Sequence, residues 1–277
     1  MRRSFSQLDV FTREPLRGNP LAVVHDGSGL SDVQMAAFAR WTNLSETTFL
    51  LPPSEPGADY RVRIFTPAQE LPFAGHPTLG SCQAWLDGGG RPQRDAEVVQ
   101  QCGVGLVRIR RDGSRLAFAA PPLRRSGVAD TATRAQIARC LRIPESMLRA
   151  VQWVDNGPGW VGAMLPDADA VLALRPDFAA MGELKVGVVG AYPTGGECAF
   201  EVRAFVPALS VPEDPVTGSL NAGLALWLIE AGLAPSSYVA SQGTALGRAG
   251  RVHVQRLAGD IWVGGDVCTV VAGTVDL

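Results

Sequence analysis

The sequence predicts an α+β protein of two similar domains, each a mostly antiparallel sheet curled around one central helix. Short strand-like segments occur beside few helix-like ones, whereas a doubly wound parallel sheet would need regular strand–helix alternation. The chain has 277 residues, which is long for one hydrophobic core and sufficient for two. An internal repeat supports doubling, because Val202–Ala208 (VRAFVPA) matches Val62–Ala68 (VRIFTPA). We therefore expect a duplicated unit, with the functional site in the cleft where the copies meet.

Composition narrows the classes of function. The chain is 46% hydrophobic and 19% charged with a net charge of −2, which gives no electrostatic reason to expect nucleic acid or an anionic membrane as a partner. Five cysteines are scattered without a CxxC pair, so we expect free thiols in a reducing compartment. Ser6, Gln7 and Asp9 interrupt any signal-peptide core, and a cytoplasmic location is expected. With three histidines and no cysteine cluster, no zinc or other metal site is expected.

The first half contains two predicted helices among short strands. Ser31 and Gln34 form a capping-box pattern, which opens a helix that extends to about Trp41. The pair His76-Pro77 opens a second helix, which ends at a run of three glycines. Strands are predicted at about 5–11, 21–25, 60–66, 98–101, 105–110 and 115–119.

A composition change marks the expected domain boundary. Residues 120–129 are rich in Pro, Arg and Ser and form the predicted linker. The N-terminal domain is then 1–119, joined by a last strand at about 268–277, and the C-terminal domain is 130–262. Helices are predicted at 131–141, at 167–174 and from Pro215 to Ala231. Strands are predicted at 151–154, 160–161, 186–189, 199–206, 251–255, 261–263 and 268–271.

The repeat continues to the start of the second helix of each half. Pro212 matches Pro72 at the same spacing, and after a two-residue difference Asp214–Ser219 aligns with His76–Ser81. In this alignment, Asp214-Pro215 and His76-Pro77 open equivalent helices.

The two helix starts allow a structural and a functional interpretation. Asp is a favoured N-cap and Pro is favoured at the first helical position, so Asp214 and Pro215 could simply begin a helix. His is not a preferred cap, and the structural interpretation of His76 is a partly buried polar side chain near a turn. The functional interpretation uses the N–H groups and partial positive charge of a helix N-terminus, which would hold a carboxylate.

Glu46 is the third candidate for chemistry, beside His76 as a proton shuttle and Asp214 as a base or hydrogen-bond anchor. A solvated loop acid is the usual alternative for a glutamate. However, Glu46 comes just before a hydrophobic strand, and the corresponding segment of the second half, 185–188, has no acid. We therefore expect an asymmetric site with one dominant carboxylate. Around it we expect Gly75 and Gly218, whose backbone can approach a ligand, and Ser219, which adds a hydroxyl donor.

These residues resemble the phenazine-biosynthesis isomerase (PhzF) family over nearly the whole chain and in the family's order. The pair FAGHPTLG and EDPxTGS at this separation is the most specific part of the resemblance. The matching segments are Asp9–Phe11, Gly18–Val24, Ser45–Phe49, Arg63–Pro67, Glu70–Gly80, Pro212–Ser219, Gln242-Gly243 and Gly247-Arg248.

The resemblance implies two domains like those of diaminopimelate epimerase, a homodimer, and a reaction without metal or organic cofactor. It implies that Glu46 is the acid/base that moves a proton along a dihydro-hydroxyanthranilate-type substrate. It also implies that His76 and Asp214 bind and orient this small carboxylic acid. The other implied substrate-binding residues are Asn19 at the cleft edge, Ser45, Gly75, Gly218 and Ser219.

Two departures from related patterns leave other functions open. Related epimerases carry a Cys at each helix mouth, where this chain has His76 and Asp214, which argues against epimerisation by two thiols. The family often has Gly-Arg-Pro-Ser where this chain has Gly247–Gly250 (GRAG), so the sequence assigns no role to Gln242-Gly243 or Arg248. An amino-acid racemase or epimerase, or a non-catalytic protein that binds small acids on the same scaffold, are the alternatives.

Overall fold

The computed structural model describes residues 1–207 and 211–277, so Ala208, the last residue of the predicted repeat, lies outside the described residues. The chain divides into an N-terminal unit (Met1–Ala119 and Gly264–Leu277) and a C-terminal unit (Ala120–Val263). In the part that is described, no helix is both long and apolar enough to cross a bilayer.

The elements follow one another as strands with five interspersed α-helices in the described residues. The helices are α1 Asp32–Thr42, α2 Gly75–Asp87, α3 Thr131–Leu141, α4 Ala168–Ala173 and α5 Gly218–Glu230. The strands are β1 Arg2–Val10, β2 Asn19–Val24, β3 Thr47–Leu51, β4 Tyr60–Phe65, β5 Glu70–Leu71, β6 Glu97–Cys102, β7 Gly105–Asp112, β8 Arg115–Ala119, β9 Arg125–Val128, β10 Ala150–Asp155, β11 Trp160–Met164, β12 Lys185–Ala191, β13 Phe200–Val206, β14 Val211–Asp214, β15 Ser237–Gln242, β16 Gly250–Leu257 and β17 Asp260–Asp276.

The sheet of the N-terminal unit closes on itself. Its pairing order is β17–β1–β2–β3–β4–β6–β7–β8, and β8 pairs again with β17. The β2–β3 and β4–β6 pairs are parallel, and β1–β2, β3–β4, β6–β7 and β7–β8 are antiparallel. At the β8–β17 contact, a Cβ on Gly264 would lie 2.3 Å from the Leu116 carbonyl oxygen, so this position needs glycine.

Helix α2 lies inside this ring of strands. It contacts β1, β2, β3, β4, β6 and β8, and every residue from Gly75 to Cys82 is buried. Most residues of this buried part are apolar or small, as a helix enclosed by a sheet requires. Gly80 permits the close approach, since a Cβ there would lie 2.5 Å from Leu21 Cδ2.

The C-terminal unit repeats the order and direction of these pairings. Strands β10–β11–β12–β13–β15–β16 pair antiparallel, parallel, antiparallel, parallel and antiparallel, as β1–β2–β3–β4–β6–β7 do. Helix α5 stands where α2 stands in the first unit, and it contacts β10, β11 and β16. The topology therefore shows the duplication that the sequence repeat indicated, in an α+β chain with one buried helix in each unit.

Several local expectations are confirmed, and two are wrong. The capping box of Ser31 and Gln34 begins α1, and α3 covers the predicted residues 131–141. The predicted linker contains strand β9, which pairs antiparallel with β10. The two short strands predicted near the end are parts of one strand, β17, whose later residues pair with β1. Both errors concern strands whose partners are distant in sequence.

Candidate functional site

A turn that is hydrogen-bonded to the Asp9 side chain places Asn19 at the start of β2. Asp9 Oδ2 accepts hydrogen bonds from the backbone nitrogens of Arg17, at 2.8 Å, and Gly18, at 3.0 Å. A Cβ on Gly18 would lie 2.2 Å from the Val10 carbonyl oxygen, so only glycine fits there. The turn therefore delivers a fully buried Asn19 side chain towards α2.

His76 is the second residue of α2 and is 4% exposed. Its Nδ1 lies 3.3 Å from the side-chain amide of Asn19. Burial lowers the pKa of His76 to about 3, and a hydrogen bond from the ring to the backbone carbonyl oxygen of Pro20 acts in the other direction. The ring is therefore neutral near pH 7.

Glu46 meets the other side of this ring. Its Oε2 lies 3.4 Å from His76 Nε2, a contact without hydrogen-bond geometry, and its side chain is 15% exposed. Thr48, two residues further along, accepts a hydrogen bond from Ser81 of α2 at 2.9 Å, so this face of β3 points at the helix. The structure thus brings together Glu46, His76 and Asn19, three of the predicted site residues. Ser45 lies partly exposed in the bend just before Glu46.

The two central helices differ from the outer helices at their N-termini. Ser31, Asp130 and Asp167 cap α1, α3 and α4 with side-chain hydrogen bonds. The N-cap residues of α2 and α5, Ala74 and Thr217, make no such bond. The first turns of α2 and α5 therefore present N–H groups that no N-cap side chain occupies, which suits an anionic group.

Asp214 does not cap α5, so the structural interpretation of this residue is wrong. It is the last residue of β14, and α5 begins only at Gly218, because Pro215 and Val216 form a connecting segment. Asp214 Oδ2 instead accepts a hydrogen bond from Thr217 Oγ1 at 2.6 Å.

Gln242 contacts this same segment, although its role was not evident from the sequence. Its Oε1 accepts from Thr217 N at 3.0 Å and from Asn221 Nδ2 at 2.8 Å. Its Nε2 donates to the Asp214 carbonyl oxygen at 3.1 Å and to Thr217 Oγ1 at 3.0 Å. Gly243, with φ +92°, follows in a conformation that suits glycine.

Gly218 and Ser219 are the first two residues of α5. Ser219 Oγ accepts from Trp160 Nε1 at 3.0 Å, and its carbonyl oxygen accepts from Asn156 Nδ2 at 2.9 Å. Gly75 holds the equivalent first position in α2. Thr217, Gln242, Trp160 and Asn156 are neighbours of the predicted residues that the sequence did not reveal, because their contacts join distant segments.

Two equivalent ion pairs identify which residues of the N-terminal and C-terminal units correspond. Arg63 holds Glu70 through two bonds of 2.8 and 2.7 Å, and Arg203 holds Glu213 through two of 2.8 Å. Each glutamate also lies opposite the phenylalanine that follows its arginine by two residues. Glu70 and Glu213 are therefore equivalent positions.

This correspondence corrects the predicted alignment of Asp214 with His76. Each central helix begins five residues after its glutamate, which makes Ser219 the counterpart of His76 and Leu71 the counterpart of Asp214. The predicted alignment failed because the second half has three more residues between its Pro-Ala pair and its glutamate than the first half has.

The same register identifies the counterpart of Glu46. Thr47 and Val186 lie opposite the equivalent phenylalanines of β4 and β13. The residues just before them, Glu46 and Lys185, therefore correspond. Lys185 is the single lysine of the sequence, and its Nζ donates to the Pro158 carbonyl oxygen at 2.7 Å. The two halves thus carry opposite charges at this position.

Across the described residues, no three or more His, Cys, Asp or Glu side chains come together in a way that could hold a metal ion. The cysteines at 82, 102, 140, 198 and 268 are free thiols.

Comparisons with known proteins agree on one family. Residues 8–273 match the family described as phenazine biosynthesis-like protein, PhzC-PhzF. Antisense-enhancing sequence 1 of Schizosaccharomyces pombe is 36% identical, covering 98% of this chain and 97% of that protein. The trans-2,3-dihydro-3-hydroxyanthranilate isomerase of Pseudomonas fluorescens is 35% identical, covering 81% of this chain and 79% of that protein.

Solved structures show the same fold. A PhzF-family protein from Enterococcus faecalis superposes with a TM-score of 0.83 over 100% of both chains at 23% identity. A predicted epimerase from Pseudomonas aeruginosa superposes with a TM-score of 0.79 over 99% of both chains at 30% identity. The relatives at 30% identity or more that carry enzyme names are isomerases or epimerases, and isomerase is the enzyme class of this chain. The chain belongs to the phenazine biosynthesis-like (PhzF) family.

Proposed function

We propose that this protein isomerises a small carboxylic acid by moving a proton from carbon, with Glu46 as the proton-transfer group. His76 and Asn19 orient Glu46 and the substrate, and Asp214 binds the substrate from the C-terminal unit. The proposed site is a cleft between the two units, into which the N-termini of α2 and α5 open. Ser45, Gly75, Gly218 and Ser219 complete the proposed substrate-binding set.

The observation that carries this proposal is the contact between Glu46 and a buried, neutral His76. A neutral imidazole does not cancel the charge of the carboxylate, so Glu46 keeps the capacity to accept a proton. His76 Nε2, 3.4 Å from Oε2, is close enough to limit the orientations of the carboxylate without taking over its role. The uncapped first turn of α2, next to this pair, suits the carboxylate of a substrate.

The asymmetry of the two halves favours this reaction over racemisation. Two-base racemisation needs a base on each face of the substrate carbon. The counterparts of Glu46 and His76 are Lys185 and Ser219, an ammonium and a hydroxyl, and neither repeats the carboxylate. The similarity to a predicted epimerase nevertheless makes epimerisation the second candidate, with Asp214 as the other base.

The substrate class is proposed from the relatives. A trans-2,3-dihydro-3-hydroxyanthranilate-type acid is the first candidate, since relatives at 34–35% identity are named for its isomerisation. We extend the proposal to a cytoplasmic homodimer that needs no metal or organic cofactor. Light scattering would check the dimer by its mass, and activity after dialysis against a chelator would check the metal independence.

The test is turnover in D2O, followed by mass spectrometry and NMR of the product. Wild-type protein is expected to isomerise trans-2,3-dihydro-3-hydroxyanthranilate, and Glu46→Gln is expected to bind it but not to convert it. Glu14→Gln is the matched control, because Glu14 has a 78% exposed side chain. Full turnover by Glu46→Gln would refute the assignment. Interconversion of amino-acid enantiomers with deuterium at Cα would instead establish the epimerase.

A further inference from the structure

A hydrogen-bond chain leads from the buried Gln242 to the partly buried Asp214. Gln242 has no exposed surface. The backbone nitrogen of Thr217 can only donate, so the atom that it meets at 3.0 Å must be the amide oxygen of Gln242. The amide nitrogen therefore points the other way, where it donates to the Asp214 carbonyl oxygen, which can only accept. Both ends of the amide are thus assigned by their partners.

The orientation of Gln242 fixes the direction of the Thr217 hydroxyl. Gln242 Nε2 donates to Thr217 Oγ1 at 3.0 Å, so the single proton of that hydroxyl is directed elsewhere. Its other neighbour is Asp214 Oδ2 at 2.6 Å, a distance typical of a hydroxyl that donates to a carboxylate. The chain therefore has one polarity, from amide to hydroxyl to carboxylate.

We propose that Gln242 and Thr217 are positioning residues that hold Asp214 as a carboxylate in one fixed orientation during the reaction. The proposal deepens the proposed function and rests on it, because it assumes that Asp214 contacts the substrate. Neither Gln242 nor Thr217 needs to touch the substrate. Their effect passes through Asp214 Oδ2.

The hydrogen bonds of Thr217 differ from those of an ordinary N-cap residue. An N-cap threonine normally accepts a hydrogen bond from the first turn of its own helix, as Ser31 does in α1. Thr217 makes no such bond, and its hydroxyl serves Asp214 instead. In the N-terminal unit, the equivalents of Thr217 and Asp214 are Ala74 and Leu71, so the chain of bonds is absent where the aspartate is absent.

The first experiment compares Thr217→Val with Thr217→Ser, using turnover of trans-2,3-dihydro-3-hydroxyanthranilate. Valine keeps the shape of threonine without the hydroxyl, and kcat should fall about tenfold to hundredfold while KM changes by less than about threefold. Serine keeps the hydroxyl and should stay within about threefold of wild type in both constants. A Thr217→Val protein with wild-type kcat, or a serine variant as impaired as the valine variant, would overturn the proposal.

The second experiment reverses the direction of the hydrogen bond between residue 242 and the Thr217 hydroxyl. Gln242→Glu keeps the size of the side chain, but a carboxylate only accepts, so the Thr217 hydroxyl must turn towards it and away from Asp214. Its loss of kcat should match that of Thr217→Val, and the double variant should lose little more, because both changes break the same bond. Multiplied losses would show that Gln242 acts by another route and would overturn the proposal. Thr217→Val decides the question alone if Gln242→Glu does not fold.

Crystal structures distinguish failure of this inference from failure of the proposed function. If wild-type protein does not convert the substrate, the proposed function fails, yet the positioning role can still be judged. The Asp214 side chain should keep its orientation in wild-type and Thr217→Ser proteins and change it in Thr217→Val. An unchanged Asp214 in the valine variant would refute the positioning role, whatever the activity.

Discussion

The two units repeat one frame but place different chemistry at the N-terminus of the central helix. In the N-terminal unit, Glu46 and Asn19 meet His76 there. Strand register makes Lys185 and Pro158 the counterparts of the first two, and helix position makes Ser219 the counterpart of the third. A carboxylate with a neutral imidazole in one unit thus corresponds to an ammonium with a hydroxyl in the other.

The frame itself is preserved by the same interactions in both units. Asp9 and Asp155 each accept two backbone hydrogen bonds from the turn that leads into β2 or β11. The bidentate Arg–Glu pair before each central helix is repeated as well. The comparison indicates that the interactions which set backbone geometry were retained, while the side chains at the helix N-termini diverged.

The largest expected effect tests whether that divergence matters for chemistry. Glu46→Gln should lower kcat by about a thousandfold, within the range of general acid–base catalysis, whereas Lys185→Met should lower it by less than tenfold. Steady-state kinetics with trans-2,3-dihydro-3-hydroxyanthranilate would measure both. Similar losses in the two variants would contradict the assignment of the proton transfer to the N-terminal unit alone.

The second prediction concerns His76, which in the unfolded chain can bind a proton between pH 7 and pH 4.5, and its counterpart Ser219, which cannot. Burial lowers the pKa of His76 to about 3, below its usual value near 6.5, so the unfolded chain binds the extra proton between these pH values. Stability should therefore fall as pH falls from about 6.5, by about 2–3 kcal/mol at pH 4.5. Urea unfolding at pH 7 and 4.5 should show this loss in wild-type and Ser219→Ala proteins and a smaller one in His76→Gln. An equal loss in His76→Gln would contradict the assignment.

The third prediction compares equivalent glycines of the two central helices. A Cβ at Gly223 would lie 2.2 Å from the Val154 carbonyl oxygen, which is backbone, whereas a Cβ at Gly80 would lie 2.5 Å from the movable Leu21 Cδ2. Gly223→Ala should cost about 3 kcal/mol of stability and Gly80→Ala about 1 kcal/mol, as overpacking does. Denaturant unfolding would measure both costs, and the reverse order would show that the backbone beside Gly223 yields.

The smallest effect concerns the uncapped N-terminus of α2. Ala74 has the extended backbone of an N-cap residue, φ −152° and ψ 142°, so Ala74→Ser should add a cap and about 0.5–1 kcal/mol of stability. The added hydroxyl would occupy N–H groups proposed for the substrate, and KM should rise several-fold. Ser31→Ala at the outer helix α1 is the opposite control, with about 1 kcal/mol lost and KM unchanged. A stabilised Ala74→Ser protein with unchanged KM would exclude α2 as an anion site.

The sequence by itself determined the features that depend on near neighbours. The capping box of α1, the limits of α3 after its N-cap Asp130, and the alternating burial of β4 follow from local side chains and backbone preferences. The repeat VRxF also showed the duplication, because the strand and its arginine occur in both halves. The helix starts and the acid before a hydrophobic strand made Glu46, His76 and Asp214 candidates, and the resemblance to the family implied a role for each.

Only the tertiary structure decided which distant groups meet. Glu46 and His76 are separated by thirty residues and come together because α2 lies inside the closed sheet in which β3 is a strand. The register of the repeat depended on the Arg–Glu ion pairs, and they showed that His76 corresponds to Ser219 and not to Asp214. Strand pairing and ring closure between segments distant in sequence leave no local signal, and for that reason β9, the full length of β17 and the role of Gln242 became visible only in the fold.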